Sequence, residues 1–326
     1  MDAKTAIEPL SSAAVEEAAA GLRRYLDPTP LQYSPAFTQK VGCHVHLKVE
    51  TVLPIRAFKV RGALNKLIRM HPEERSVGVI TASAGNHGLG VAYAAQAFRV
   101  PATVCVPENA NQLKVDAIKR LGARVVHHGR SYQEASREAS RLQAETGAAL
   151  VHAYDDPDVI AGQGSVAVEV VEQLPEFDTI LVPVGGGGLI SGMATYLKAR
   201  RPSVKVIGVE PAGADAMTRS LAAGRPVTLG KVSTIADGLA ASAPGTHTLE
   251  IARRCVDDMI TVEESEMLRA IRLFFEWEHL LAEPAGAAAM AALLYHYAAE
   301  AGERLVVVLS GANVAEQVLV QSLSAR

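Results

Sequence analysis

Two hydrophobic rhythms alternate along this chain, and together they predict its architecture. From Ser11 to Leu26 the apolar residues recur at helical spacing on an alanine- and glutamate-rich background, and Asp27-Pro28-Thr29-Pro30 then ends the helix, since proline brings no amide hydrogen. His44 to Val49 alternates apolar and polar residues as a strand does, and Arg61 to Met70 returns to the helical period. A regular beat follows: a β-branched run at Ser76 to Thr81, a helix at Leu89 to Phe98, a strand at Ala102 to Val106, a helix at Asn111 to Leu121, a strand at Ala123 to His127, and a helix at Ser131 to Thr146.

After Ala149 to His152 the beat resumes with a helix at Ile160 to Leu174, the strand Thr179 to Val184, a helix at Ile190 to Arg200 and the strand Val204 to Val209. Met217 to Ile235 is broken, Ala241 to Thr246 reads as a loop, and Leu249 to Arg254 as a helix. One long helical region is predicted from Glu263 to Leu281, then an alanine helix to about Ala299, then the apolar strand Arg304 to Leu309. Strands alternating with helices give an α/β protein with open, mostly parallel sheets covered on both faces.

Composition narrows the function classes. The 326 residues suffice for two domains or one large one. A net charge of −3 leaves no basic footprint for nucleic acid, and 5% aromatic residues leave few stacking platforms for single strands. Cys43, Cys105 and Cys255 lie far apart without ligand spacing and read as reduced packing residues, consistent with a cytoplasmic location. The opening MDAKTAIEPL lacks the basic and apolar segments of a signal peptide, and no apolar run is long enough to span a bilayer, so no membrane partner is expected.

Candidate chemistry begins at Lys48 to Ala63, KVETVLPIRAFKVRGA. Phe58 and Val60 flank Lys59, a setting able to desolvate its amine. Desolvation favours the neutral form, which is the nucleophile that forms a Schiff base with a carbonyl. A surface lysine at a helix start is the plainer alternative. Gly185 to Gly188 follows a strong strand and opens a helix, so its backbone N–H groups are suited to a phosphate; a tight packing turn is the alternative. A dinucleotide site would need the GxGxxG spacing, and Ile190 and Ser191 stand where its third glycine would fall, although Glu210 ends the next strand as a ribose-binding acid would. Ser83-Ala84-Gly85-Asn86-His87 also joins strand to helix and offers N–H groups to a carboxylate, with His87 readable as a packed first-turn residue.

Taken together, the lysine run, Ser83 to Gly88, the four glycines and Ser310-Gly311-Ala312-Asn313 resemble, in order, the fold-type II family of pyridoxal-phosphate enzymes. Within that family the look is of the threonine and serine dehydratases and serine racemase. The resemblance implies the tryptophan synthase β-like fold, with a small substrate-gripping domain at 51–147 and a large cofactor-binding domain formed by 1–50 plus 148–326. It implies pyridoxal 5'-phosphate held on Lys59 as a Schiff base, with Phe58, Asn86, Gly185, Gly186, Gly187, Gly188 and Ser310 around it. Asn86 would meet the cofactor's 3-hydroxyl and Ser310 its pyridine nitrogen. Ser83, Ala84, Gly85, Asn86 and His87 would grip the carboxylate of a small amino-acid substrate.

The implied reaction is α,β-elimination of a β-hydroxy amino acid to a 2-oxo acid and ammonia. A neutral serine at the ring nitrogen makes the ring a weaker electron sink, which suits rapid elimination better than long-lived carbanion chemistry. Serine racemases of the family carry a second serine where this chain has Ala84, which ranks racemisation below dehydration. Many relatives read Thr-Gly-Ser before Phe-Lys where this chain has Ile55-Arg56-Ala57, and the usual Asn and Gln upstream appear as Thr51 and Leu53; this leaves threonine, serine, 3-hydroxyaspartate and phenylserine open. Glu210-Pro211 is followed by Ala214-Asp215-Ala216, one acid short of the metal-dependent pattern, so no metal is expected. The chain leaves no room after Asn313 for the regulatory domain of biosynthetic threonine deaminases, and a homodimer or homotetramer is implied. Two alternatives stand beside the dehydratase: a β-replacement synthase of the same fold, and a nucleotide- or ligand-binding α/β protein without turnover.

Overall fold

A computed structural model describes residues 10–324. Residues 1–9, where the large domain was expected to begin and no signal peptide was read, lie outside the described residues. Among the described residues ten strands form two sheets: β1 (Leu31–Tyr33), β2 (His44–Val49), β3 (Val79–Ala82), β4 (Ala102–Val106), β5 (Arg124–His127), β6 (Ala149–Leu150), β7 (Thr179–Pro183), β8 (Lys205–Pro211), β9 (Asp258–Val262) and β10 (Arg304–Leu309). The larger sheet runs β1-β2-β10-β7-β8-β9 and the smaller β5-β4-β3-β6. All pairings are parallel except β1 with β2.

The alternation within β10 shows how one strand serves two layers. Leu305, Val307 and Leu309 pack against the alanine-rich helix Pro284–Tyr295, while Val306 and Val308 face the cluster containing the helices Pro157–Gln173 and Gly188–Arg200. All five are fully buried, and each contributes about 2 kcal/mol of apolar burial. Pro284–Tyr295 is buried from Pro284 to Leu293, and its small side chains let it lie close to the sheet. The smaller sheet is covered by Lys59–Arg69 and Asn86–Phe98 on one side, and by Tyr132–Thr146 on the other.

The expected α/β organisation, mostly parallel sheets covered on both faces, is therefore present, with local corrections. The run from Ser76 is not strand throughout: Pro72–Val77 is a short helix, and the strand starts at Val79. Glu263 to Leu281 is not one helix either, because Glu264–Leu273 passes into a π-turn at Phe274–Glu278 that ends with His279 in the left-handed region, φ 55°. Five further described elements were not visible in the hydrophobic pattern: β1, Pro35–Val41, Ala216–Ala223, β9 and Glu316–Ser324. The smaller sheet takes in β6, so it reaches past residue 147, the border expected for the small domain.

Candidate active site

The functional loops follow the carboxyl ends of parallel strands, where open α/β sheets leave backbone groups unpaired. Ser83 to His87 follows β3, Gly185 to Gly188 follows β7, and Ser310 follows β10. Lys59 opens the helix Lys59–Arg69. Its segment is stitched to the exit of β10: Phe58 N donates to Ser310 O at 3.0 Å, Ala312 N to Arg56 O at 2.9 Å, and Ala57 bridges Gly311. Residues far apart in sequence thus share one wall.

Within that wall the Lys59 amine donates to the backbone carbonyl of Ala153 at 2.9 Å and lies 5.2 Å from the centroid of the Phe58 ring. Among the described residues it has no carboxylate partner. Burial therefore acts unopposed and pushes it down to about 8. His87 is buried nearby. Its Nε2 meets the Val151 carbonyl at 2.9 Å, and burial followed by the Lys59 charge pushes the ring down to about 3, so the imidazole is neutral.

The four glycines meet packing demands that the sequence did not reveal. A Cβ on Gly186 would come within 2.3 Å of the Tyr154 ring, and one on Gly188 within 3.0 Å of the Tyr154 backbone. Gly187 has φ +94°, and a Cβ on Gly185 would come within 3.0 Å of the Leu239 backbone. Close packing therefore requires glycine here, yet the loop retains what an anion needs. The N–H groups of residues 185 to 188 bond no other described residue, and they stand at the start of Gly188–Arg200. Thr248 closes the other side of this loop by donating from Oγ1 to Gly186 O at 2.7 Å, and Asp155 holds the N–H groups of Thr246 and His247 at 2.8 and 2.9 Å.

Asn86 is the crossing point between the two sheets' loops. Its Nδ2 donates to Glu283 Oε1 at 2.5 Å, and its Oδ1 accepts from Asn313 Nδ2 at 2.7 Å. Glu283 is buried; burial first, then the negative charge of Asp237, pushes its carboxyl up to about 7 against the Asn86 hydrogen bond. Asp237 itself pairs with Lys114, a second link across the cleft. Ser310 is buried, and its Oγ has one distant acceptor, Ala285 O at 3.5 Å, so the hydroxyl is poorly committed. Ser83 Oγ accepts from Gly85 N at 3.1 Å, while the N–H groups of Ala84, Asn86 and His87 bond no other described residue.

The structure thus assembles Lys59, Phe58, the loop from Ser83 to His87, the glycine run and Ser310 around one region. Sequence reasoning missed Tyr154, Asn313 as a partner of Asn86, and the Ala153 carbonyl. The signal available for Tyr154 was its place just after a parallel strand. Glu210 is occupied differently from a metal ligand: its carboxylate accepts from Met217 N at 2.9 Å, Thr218 N at 2.8 Å and Thr218 Oγ1 at 2.7 Å. Among the described residues no three His, Cys, Asp or Glu side chains gather in a way that could hold a metal ion.

A phosphate fits the unbonded N–H groups beside glycines 185 to 188, a carbonyl fits the amine that burial makes easier to deprotonate, and a ring nitrogen fits the poorly committed Ser310 hydroxyl. The fold is that of the fold-type II, tryptophan synthase β-like enzymes, and the chain belongs to the pyridoxal-phosphate dependent enzyme family, whose pattern it matches over residues 22–311. Particular relatives lie close. The L-threonine ammonia-lyase of Thermotoga maritima is 41% identical over 300 residues, 92% of this chain and 75% of that protein. The serine racemase of Oryza sativa subsp. indica is 39% identical over 96% of this chain and 93% of that one. The structure of maize serine racemase superposes with a TM-score of 0.92 at 37% identity, covering 96% of this chain and 97% of that one.

Proposed function

We propose that this chain is a dehydratase, an ammonia-lyase that converts a β-hydroxy amino acid of the serine or threonine type to a 2-oxo acid and ammonia. The observation that carries this reading is the Lys59 amine, pushed down to about 8 with the Ala153 carbonyl as its one hydrogen-bond partner among the described residues, beside two loops that carry unbonded N–H groups. Such an amine is neutral often enough near pH 7 to act as nucleophile and base.

Lys59 would hold the cofactor, with residues 185 to 188 on its phosphate, Ser310 on its ring nitrogen and Asn86 beside its hydroxyl. When bound, pyridoxal phosphate supplies an electron sink for the pair left by the substrate's α-proton. The N–H groups of Ala84, Asn86 and His87 orient the substrate carboxylate. The freed Lys59 amine takes the α-proton, and the β-hydroxyl departs as water with a proton that Lys59 can return. The released enamine tautomerises and takes up water to give the 2-oxo acid and ammonia.

Two separate sheets speak for two domains, a small one expected at 51–147 whose sheet runs on to Leu150, and a large one formed by 1–50 plus 148–326, with Asn86 and Lys114 reaching across to Glu283 and Asp237. Among the described residues no helix is long and apolar enough to cross a membrane. We place the protein in the cytoplasm as a homodimer or homotetramer. The test is the absorbance of purified protein with a panel of serine, threonine, 3-hydroxyaspartate and phenylserine, detecting 2-oxo acid and ammonia together. A visible band erased by borohydride, with both products from one substrate, is expected. A colourless protein, inert with added cofactor, would overturn the reading. Because serine racemases are among the near relatives, the same panel includes D-serine formation.

A further inference from the structure

Behind Lys59 lies a cluster of four charges that the reaction does not use. Arg61 and Lys48 face Glu50 and Glu169, with side chains 1%, 0%, 0% and 9% exposed. The Arg61 guanidinium forks twice. Its Nε and Nη2 donate to Glu50 at 2.6 and 2.9 Å, and its Nη1 and Nη2 to Glu169 at 2.6 and 2.9 Å. Ser165 Oγ and Thr29 Oγ1 accept from it at 3.1 and 3.2 Å. Lys48 Nζ completes the set on Glu169 at 2.6 Å and Thr29 O at 2.7 Å. Although burial alone would raise Glu169, Arg61 and Lys48 hold its carboxyl below the usual range, so Glu169 stays ionised.

A neutral cluster of this kind is a poor source of stability, because apolar side chains of equal volume would hold the same elements without desolvating four ions. What ions add is direction: a planar guanidinium seated on two carboxylates fixes both rotation and sliding. The elements so fixed converge on Lys59. Glu50 precedes the segment that leads to it, Arg61 lies two residues beyond it in the same helical turn, and Glu169 sits on the neighbouring helix Pro157–Gln173. That neighbour is close: a Cβ on Gly162 would come within 2.8 Å of Arg61 O, so the two helices meet backbone to backbone. Arg61 on Glu50 therefore closes the chain into a loop with Lys59 inside it, and Glu169 ties that loop to the body.

Resting on the dehydratase reading, we infer that Arg61 is a positioning residue for Lys59: its double fork onto Glu50 and Glu169 sets the rotation of the helix's first turn and hence where the amine stands.

The test uses holoenzyme and the variants Arg61→Lys, which keeps the charge and loses the fork, and Glu169→Gln, which keeps an acceptor and loses a charge. Melting temperature, cofactor occupancy, the pH midpoint of the bound cofactor's visible band, kcat and KM are measured together. Both variants are expected to fold and bind cofactor, with kcat reduced about tenfold or more because small displacements of a reacting group are costly, KM little changed, and the band's pH midpoint displaced. If the variants lose melting temperature while kcat and the pH midpoint stay at wild-type values, the cluster is structural and the inference fails. If neither variant folds, the cluster is a requirement of folding and the inference also fails. If Arg61→Lys alone does not fold, Glu169→Gln decides. Wild-type protein without colour or turnover would sink the functional reading itself, a result distinguishable from active wild type with unaltered variants.

Discussion

The amine of Lys59 donates to the carbonyl oxygen of Ala153 at 2.9 Å, a partner that carries no charge. A carboxylate there would stabilise the ammonium; a carbonyl leaves burial in control, and the amine falls from 10.5 to about 8. At pH 7 that provides about 300-fold more neutral amine than an ordinary lysine would. Cofactor uptake by apoprotein, followed as growth of the visible band, should therefore accelerate with pH through a midpoint near 8. A midpoint near 10.5 would contradict the burial argument. Lys59→Ala should show neither the band nor turnover.

Glu283 gives a stability signature. Its carboxyl keeps its proton up to about 7 in the folded protein, whereas the unfolded chain loses it near 4.5. Between those values the folded state binds more protons, so stability falls as pH rises through this window, by on the order of 3 kcal/mol, and levels off above it. Glu283→Gln keeps an oxygen for Asn86 and removes the titration. Melting temperatures at pH 5 and pH 8 should lie closer together in the variant than in wild type, and an unchanged gap would reject the assignment.

Gly186→Ala places a methyl carbon 2.3 Å from the Tyr154 ring. The overpacking should cost about 1–3 kcal/mol and weaken cofactor binding, since the loop with the unbonded N–H groups must shift. Pairing it with Tyr154→Ala removes the clash. Thermal melts and cofactor titration of the single and double variants test this, and a double variant no better than Gly186→Ala would place the constraint elsewhere.

Arg56 sits in the left-handed region, φ 58°, its side chain exposed and without hydrogen bond or ion pair to another described residue. A non-glycine residue there costs about 1 kcal/mol. Arg56→Gly should raise the melting temperature by about 1–3 °C. Calorimetry showing a decrease would mean that the side chain has a stabilising role.

Ala84 is half-buried in the loop where the N–H groups of Ala84, Asn86 and His87 bond no other described residue. It offers no hydroxyl to donate or accept a proton on the substrate's second face. Wild-type protein should form 2-oxo acid from L-serine faster than D-serine, and Ala84→Ser should raise the racemisation share. Chiral chromatography of the same reaction mixtures measures both.

Much of the fold was legible because strand and helix periods were strong. His44–Val49, Ala102–Val106 and Arg304–Leu309 stand where alternation or an apolar run placed them. Asp258–Val262 escaped because this edge strand is mostly half-buried and carries little apolar contrast. The π-turn at Phe274 was invisible because its residues keep a helical pattern while the backbone changes hydrogen-bond register. At the site, the reactive stretches were readable as motifs, but their mutual contacts were not. Nothing in local sequence says that Asn313 meets Asn86, or that Tyr154 requires glycine at 186.

The position of β10 also sets an order of events. It lies between β2 and β7 and is the last of the ten strands to leave a ribosome, so until residues 304–309 emerge both neighbours keep a bare edge. Ser310 and Gly311, which hold the backbone of Phe58 and Ala57, arrive with it. A nascent chain can therefore complete its smaller sheet early, yet it must carry two sticky edges and an unanchored Lys59 segment almost to the end of synthesis. Those bare edges expose the chain to association throughout that interval, and the Lys59 segment gains its anchor only after it.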